Sequence, residues 1–258
     1  MSPTSNGGFV PSRDRLAPAL TTREEIVLLA RALWNEGYDD HLSGHITVNL
    51  GDGTFLCNPW LLTWEEFGPD DVIRIDLEGN VLEGDWPAPL GIPIHLELHK
   101  ARPGVGWAVH GHTHWGSVWS AMKRVPPLHD QTGAGGGGQL VLVDEYGGGV
   151  SSVASAKDAI ERLGDADMAI LAHHGVLLTA KNVNAAYWRA VSLEWRCRLA
   201  LLAETGGGGA PVPQIVHDTF GRSDGSGFVG YWETAVRREL RRYPELAATI
   251  GTAANTAG

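Results

Sequence analysis

The sequence predicts an α/β domain folded around a mixed or mainly antiparallel sheet, with an appended C-terminal arm. Three observations predict it. Apolar residues switch from helical spacing to strict alternation and back along the chain. The early strands fall in two pairs, each joined by a turn of only a few residues, which forces antiparallel neighbours within the pair. The later strands alternate with helices. A length of 258 residues suits one large domain, and a 43% hydrophobic, 19% charged composition can bury a core.

The polar, proline-bearing residues 1–20 read as a mobile arm. Thr22-x-x-Glu25 is a capping-box pattern ahead of Ile26, Leu29, Ala30 and Leu33, which predicts a first helix over about 22–36 ending near Gly37. Alternation from His45 to Leu50, the turn Gly51-Asp52-Gly53 and the run Thr54–Cys57 predict a hairpin. Val72–Asp76 and Val81–Glu83 are further strands, and Asp85–Pro93 is irregular. Helix is expected over 94–101 and stopped by Pro103-Gly104, followed by a strand from Trp107 to His112 and a short helix over 117–122. The glycine-rich stretch 133–138 reads as a flexible loop. A strand over 140–143, a helix over 154–163, strands over 168–172 and 176–180, and a long helix capped by Asn182 and running to about 204 complete the domain. After the linker 206–209, residues 231–243 form a helix with Arg237, Arg238, Arg241 and Arg242 on one face. The divisions are thus an arm over 1–20, a domain over 21–205, and a linker with helical arm over 206–258.

Charge and composition exclude several classes. A net charge of −10 argues against nucleic-acid binding through a basic surface. No apolar run reaches the roughly 18–20 residues of a membrane span, the N-terminal stretch lacks the apolar core of a signal peptide, and two cysteines make no disulfide framework. The expected setting is cytoplasmic, without membrane or nucleic-acid partners.

The chemistry is concentrated in histidines. His110-Gly111-His112 lies on a predicted strand, where residues i and i+2 point to one side, about 6.5–7 Å apart, and can converge on one metal ion. His173-His174-Gly175 sits between two apolar strands, and one histidine of that pair can face inward, with Gly175 permitting the tight turn. Spacing alone leaves metal ligation and hydrogen-bonded core histidines both open.

The run His95-x-x-x-His99-Lys100-Ala101-Arg102-Pro103-Gly104 followed by Val105–His112 resembles the class II aldolase/adducin family, the fuculose-phosphate aldolase group. Ser43-Gly44-His45-Ile46-Thr47-Val48 and Ile170–Val176 are similar to two further segments of that family, and the likeness spans about 22–204. The resemblance implies a three-layer α/β/α sandwich with a central, largely antiparallel sheet. It also implies one divalent metal per subunit held by His110, His112 and His174, and a homotetramer with sites at subunit interfaces. Zinc is the first expectation, with iron, manganese, cobalt or nickel as alternatives, because imidazole suits several such ions.

The departures from the family pattern shape the expected chemistry. The family's catalytic glutamate falls at Gly91, and its tyrosine acid aligns with Asp130 or Gln131. Its phosphate pocket is replaced by Asn58-Pro59-Trp60-Leu61 and by Pro89-Leu90, and only Gly44 of that donor set remains. A sugar phosphate is therefore not the expected substrate. Gly44, Trp60, Leu61 and Leu90 are the candidate substrate-binding residues, and Trp64, Trp86 and Trp115 are candidates for an aromatic lining or for core packing. His95, one turn from Gly91, is the candidate catalytic base, with Asp130 as a second candidate and Glu145, His217 and Tyr231 as weaker ones. Three neutral imidazoles leave a cation's charge uncompensated, and the resulting electron sink serves retro-aldol cleavage and decarboxylation alike. Decarboxylation suffers less from the missing glutamate. The expected function is a metal-dependent carbon–carbon lyase, decarboxylase or aldolase, acting on a non-phosphorylated aromatic or apolar hydroxy or oxo acid. The alternatives are a non-heme iron oxygenase acting on hydroxyphenylpyruvate-type acids and a non-catalytic adducin-like module.

Overall fold

The computed structural model describes residues 16–144, 152–220 and 229–250, apart from the side chain of His217. Helix α1 (Thr22–Trp34) begins one residue earlier in its capping pattern than the sequence predicts. Thr21 is the N-cap: its hydroxyl accepts from the Glu24 N–H (3.3 Å), and the Glu24 carboxylate accepts from the Thr21 N–H (2.6 Å). That pair satisfies two donors the first turn would otherwise leave open.

Eight strands form one sheet: β1 (His45–Asn49), β2 (Thr54–Cys57), β3 (Ile73–Asp76), β4 (Val81–Glu83), β5 (Trp107–Gly111), β6 (Leu140–Val143), β7 (Met168–Leu171) and β8 (Gly175–Ala180). Their order is β4-β3-β2-β1-β5-β8-β7-β6. Every neighbouring pair is antiparallel except β6 and β7. The short turns predicted after β1 and after β3 give two hairpins, and the longer connection over 58–72 joins them into the β1–β4 meander. The parallel pair needs a crossover, supplied by α5 (Val153–Leu163), as parallel neighbours require.

Residue alternation sorts the sheet into two faces. Ile46, Val48, Trp107, Val109, Val176 and Leu178 pack against the buried side of α1 and of the long α6 (Val183–Thr205), in one core cluster. Ala108, Ala169 and Leu177 on the opposite face pack under α2 (Pro93–Ala101) and α5. Phe55, Cys57, Ile73 and Ile75 meet Ile92 and Leu96 on that same side. The result is the three-layer sandwich that the resemblance implied.

The remaining helices are α3 (His114–Met122), α4 (Gln131–Gly135), α7 (Gln214–Phe220), α8 (Tyr231–Arg242) and α9 (Pro244–Ala247). The glycine stretch is not the flexible loop expected from composition. It carries α4 and a turn pressed against α6, where a Cβ on Gly135 would stand 2.6 Å from the Trp188 ring and one on Gly136 2.7 Å from the Arg189 Cα. These glycines serve close helix approach, so their count says nothing about mobility. Helix α8 packs Trp232, Ala235 and Val236 into the main core. Its Arg238 pairs with Glu36 (2.5 Å), and Arg237 donates to the Leu16 carbonyl. The basic face is thereby tied to this chain's own first helix and N-terminal segment. Among the described residues no helix is long and apolar enough to cross a membrane.

Candidate metal centre

Strand β5 carries His110 on the α2-facing side, and the chain leaves the sheet at Gly111 before placing His112. The turn between β7 and β8 supplies His174. The ligand-type atoms of His110, His112 and His174 lie within 4.8 Å of one another. Sequence spacing suggested the first two. The antiparallel β5–β8 pairing, with Gly111 opposite Val176, brings the third alongside.

The turn works differently from the sequence expectation. The left-handed residue is His173 (φ 56°), which is exposed, while His174 is turned inward and half-buried. Gly175 is a glycine for closeness: a Cβ there would stand 2.5 Å from the Gly111 carbonyl and 2.8 Å from the His112 ring. Ser120 on α3 holds the turn. Its hydroxyl donates to the Leu171 carbonyl (2.5 Å) and accepts from the His174 N–H (2.7 Å), and its own carbonyl accepts from the His173 N–H.

Hydrogen bonds fix which nitrogens face the cluster. His110 Nδ1 donates to the Val176 carbonyl (2.8 Å), which leaves Nε2 with its lone pair. His112 Nδ1 donates to the Asp40 carboxylate, and His112 Nε2 is buried without a hydrogen-bond partner. A buried nitrogen kept unpartnered and aimed into a set of imidazoles is what a cation ligand requires, so the residues fit a metal. Burial pushes His110 well below the ordinary imidazole range and His174 down to about 4, with repulsion from neighbouring imidazoles acting in the same direction. His110 and His174 are therefore in their ligating, neutral form near pH 7. Burial acts upward on Asp40, yet its interactions with His112 and His41 leave its carboxyl below the usual value. A carboxylate behind a ligating histidine commonly governs metal affinity. Asp40→Asn is expected to weaken metal binding by about 10–100-fold, read by competition with a chromophoric chelator; unchanged affinity would remove Asp40 from the site.

Behind Asp40 and His112, Glu194 of α6 secures the next turn. It accepts from the Thr113 hydroxyl (2.6 Å) and from the N–H groups of Trp115 (2.7 Å) and Gly116 (3.1 Å). Burial pushes the Glu194 carboxyl above its ordinary pKa against the pull of those bonds. The adjacent cleft, about 470 Å³, is lined by Trp34, Asp39, His114, Trp115, Trp195 and Arg198 among others. Trp115 therefore belongs to this cleft, on a stretch with His114, whose Nε2 pairs with Asp39 (2.6 Å).

Other sequence candidates fall elsewhere. His95 is fully buried, and its Nδ1 is 2.8 Å from the Thr47 hydroxyl, which also meets His99 Nε2 at 2.9 Å. It does not face open space. Its ring lies edge-on to His45 at 5.6 Å, and His45 lies 5.2 Å from His110. Helical spacing placed His95 on the correct side of α2 but could not show that β1 intervenes. Asp130 is the N-cap of α4, accepting from Gly133 N–H (2.8 Å) and from the Trp195 indole (2.7 Å), so both oxygens are committed to packing. Tyr231 stacks on Trp188 at 3.9 Å. Glu145 and the His217 side chain lie outside the described residues.

Gly44 is occupied by core packing: its carbonyl accepts from the Trp64 indole (3.3 Å) and Asn58 (3.2 Å), and a Cβ would stand 2.5 Å from the Trp64 ring. Trp64 is thus buried, and Trp86 donates to Asp71 (2.9 Å). The loops bearing Trp60 and Leu90 are joined by a bond from the Trp60 N–H to the Pro87 carbonyl (2.9 Å). Leu61, held at φ 76°, and Leu90 are 54% and 67% exposed on those loops. A leucine with positive φ is strained, and such strain persists only where the surroundings impose it.

Asp40, Ser120 and Glu194 carry no motif in the sequence, and the family-like segment that holds His45 does not show where its ring lies. Asp40 lies 72 residues before its partner His112 in a stretch without periodicity.

Comparisons with known proteins show the family and the fold. The family described as Class II Aldolase and Adducin N-terminal domain matches residues 24–201. The 4-hydroxy-3-prenylphenylpyruvate oxygenase/4-hydroxy-3-prenylbenzoate synthase of Streptomyces roseochromogenus subsp. oscitans is 30% identical over 82% of this chain and 79% of its own length. Decarboxylase NovR of Streptomyces niveus is 29% identical over 82% of this chain and 81% of its own. The structure of L-fuculose 1-phosphate aldolase from Glaciozyma antarctica PI12 superposes with a TM-score of 0.74, covering 90% of this chain and 97% of that one at 22% identity, a likeness of fold.

Proposed function

We propose, from the premise that the chain belongs to the class II aldolase and adducin family, that it is a metal-dependent carbon–carbon lyase of the decarboxylase or aldolase type, and that its substrate is a non-phosphorylated aromatic hydroxy or oxo acid. The observation that carries this reading is the convergence of His110, His112 and His174, with His112 Nε2 buried and unpartnered. Zinc is the expected ion. When bound, it supplies a positive charge that stabilises electrons left behind when a carbon–carbon bond breaks.

The chain's own residues set the conditions for that chemistry. Val176 and Asp40 hold the His110 and His112 rings with Nε2 toward the shared point. Ser120 fixes the turn that aims His174. No carboxylate joins the three imidazoles as a ligand among the described residues, so an anionic acid meets an uncompensated cation. The loops that hold Trp60 and Leu90 carry an indole and an exposed apolar side chain in place of phosphate-binding hydroxyls, which suits an aromatic acid. We place the protein in the cytoplasm as a homotetramer with sites between subunits, and light scattering after gel filtration checks the assembly.

The test is release of carbon dioxide, or of an aldehyde fragment, from a panel of hydroxylated aromatic and aryl-2-oxo acids by zinc-, manganese- and iron-loaded protein. Turnover that is lost with a chelator and restored by metal is expected. Absence of turnover across that panel would overturn the reading.

A second reading is favoured by the Streptomyces roseochromogenus relative, whose name includes an oxygenase activity. Three histidines can hold Fe(II) with open positions. Substrate-dependent oxygen uptake by the iron-loaded protein supports it, and equal turnover under strict anaerobiosis removes it.

A further inference from the structure

The backbone at position 91 lies against the start of β1. An ideal Cβ on Gly91 would fall 2.1 Å from Cε1 of His45, 2.9 Å from its Nε2 and 3.1 Å from its Nδ1. No side chain fits there while the imidazole does. The ring of His45 therefore occupies the space a residue-91 side chain would fill, and Gly91 is a glycine because of it. The register of β1 against β5 puts His45 directly opposite His110, with ring centroids 5.2 Å apart.

His45 is 4% exposed, and its Nδ1 is buried with no hydrogen-bond partner. Leaving a buried nitrogen unpaired is costly, so such an atom in a native fold calls for an occupant. Thr47 and His95 behind it do not supply one: Thr47 bonds the far side of His95, and His95 Nε2 is itself unpartnered. The His45 ring stands between His95 and the ligand His110, with ring centroids 5.6 and 5.2 Å away. His45 is not part of the converging ligand set.

From this arrangement we infer that His45 is a substrate-facing residue of the metal site, whose ring hydrogen-bonds the carboxylate of the metal-bound acid from the place where a side chain at position 91 would stand. The inference rests on the proposed metal-dependent acid chemistry. It also explains selectivity. A carboxylate at that place would repel an anionic acid, whereas an imidazole N–H accepts it as a partner. The Asp40 carboxylate lies behind His112 and is committed to it.

Two measurements test this. The first uses metal-free protein and reads thermal unfolding of wild type, Gly91→Ala, His45→Ala and the double variant. Gly91→Ala is expected to lower Tm by about 5 °C in wild type and by little in the His45→Ala background. Soluble double variant beside an insoluble Gly91→Ala is the limiting form of the same result. An equal loss in both backgrounds would show that the His45 ring does not fill this space and would overturn the inference.

The second uses cobalt(II)-loaded protein and salicylate as the probe acid, followed by the visible spectrum. His45→Gln is expected to retain one cobalt per chain and bind salicylate at least about tenfold more weakly, the scale of one charge-assisted hydrogen bond. Loss of cobalt from the variant would make His45 a ligand, and unchanged affinity, or no binding to wild type, would remove it from the substrate. If salicylate binding depends on His45 while no acid is turned over, the lyase reading fails and this assignment stands.

Discussion

His174→Ala is expected to yield a folded protein that no longer holds stoichiometric metal and whose turnover falls by about two to three orders of magnitude. The size follows from the chemistry of the set. A structural zinc site contributes about 10–16 kcal/mol of binding free energy in small domains, so one ligand among three or four carries roughly 3–4 kcal/mol. At 1.36 kcal/mol per factor of ten, that is about 150–1,000-fold in affinity. The fold should survive, because His174 lies in a turn whose backbone is held by Ser120 and Leu171, and its side chain is only half-buried. Metal content by mass spectrometry and circular dichroism separate loss of ligand from loss of fold. The neighbouring substitution His173→Ala is the internal control: His173 is exposed and should leave metal content unchanged. If the two variants bind metal equally, the three-histidine centre is wrong.

Acid is the second large effect. His99 is buried under α2, stacked on Phe55 at 4.6 Å, and burial pushes it down to about 4 from 6.5. His95, one turn earlier and fully buried, is lowered further by burial and by its imidazole neighbours His45 and His99. The unfolded chain takes up protons at these residues below about pH 6.5, whereas the folded chain does not until near pH 4. Stability is therefore complete above pH 6.5 and is lost as pH falls through the interval between the two values. For His99 alone the loss is about 2 kcal/mol between pH 6.5 and 5, rising to about 3 kcal/mol near pH 4. Urea unfolding of metal-free protein at pH 7 and pH 5 measures it. His99→Gln is expected to flatten the slope by about 1.4 kcal/mol per pH unit over that interval. The same slope in the variant would show that His99 does not stay neutral in the fold. Thr47 makes the pair sensitive, because one hydroxyl serves both rings, donating to one and accepting from the other.

Much of the architecture was legible because it rests on local chemistry. Short turns between alternating runs gave the two early hairpins, and cap patterns with apolar periodicity gave α1 and α6. Where reading by composition went astray, a distant partner was responsible. The glycine stretch before β6 looked mobile, yet it is where α4 presses on Trp188 and Arg189 of α6. Gly175 looked like a turn residue, but the left-handed conformation falls on His173, and the glycine makes room for the His112 ring.

The sequence by itself determined an α/β domain around a mainly antiparallel sheet and the strand bearing His110, since alternation along one strand is a property of contiguous residues; through resemblance it also gave the three layers and the three histidines proposed as ligands. Only the tertiary structure decided what surrounds them. Asp40 behind His112, Ser120 beneath His174, and His45 in the space beside Gly91 come from segments separated by tens of residues. Strand register and helix packing, which no local pattern encodes, bring them within bonding or contact distance.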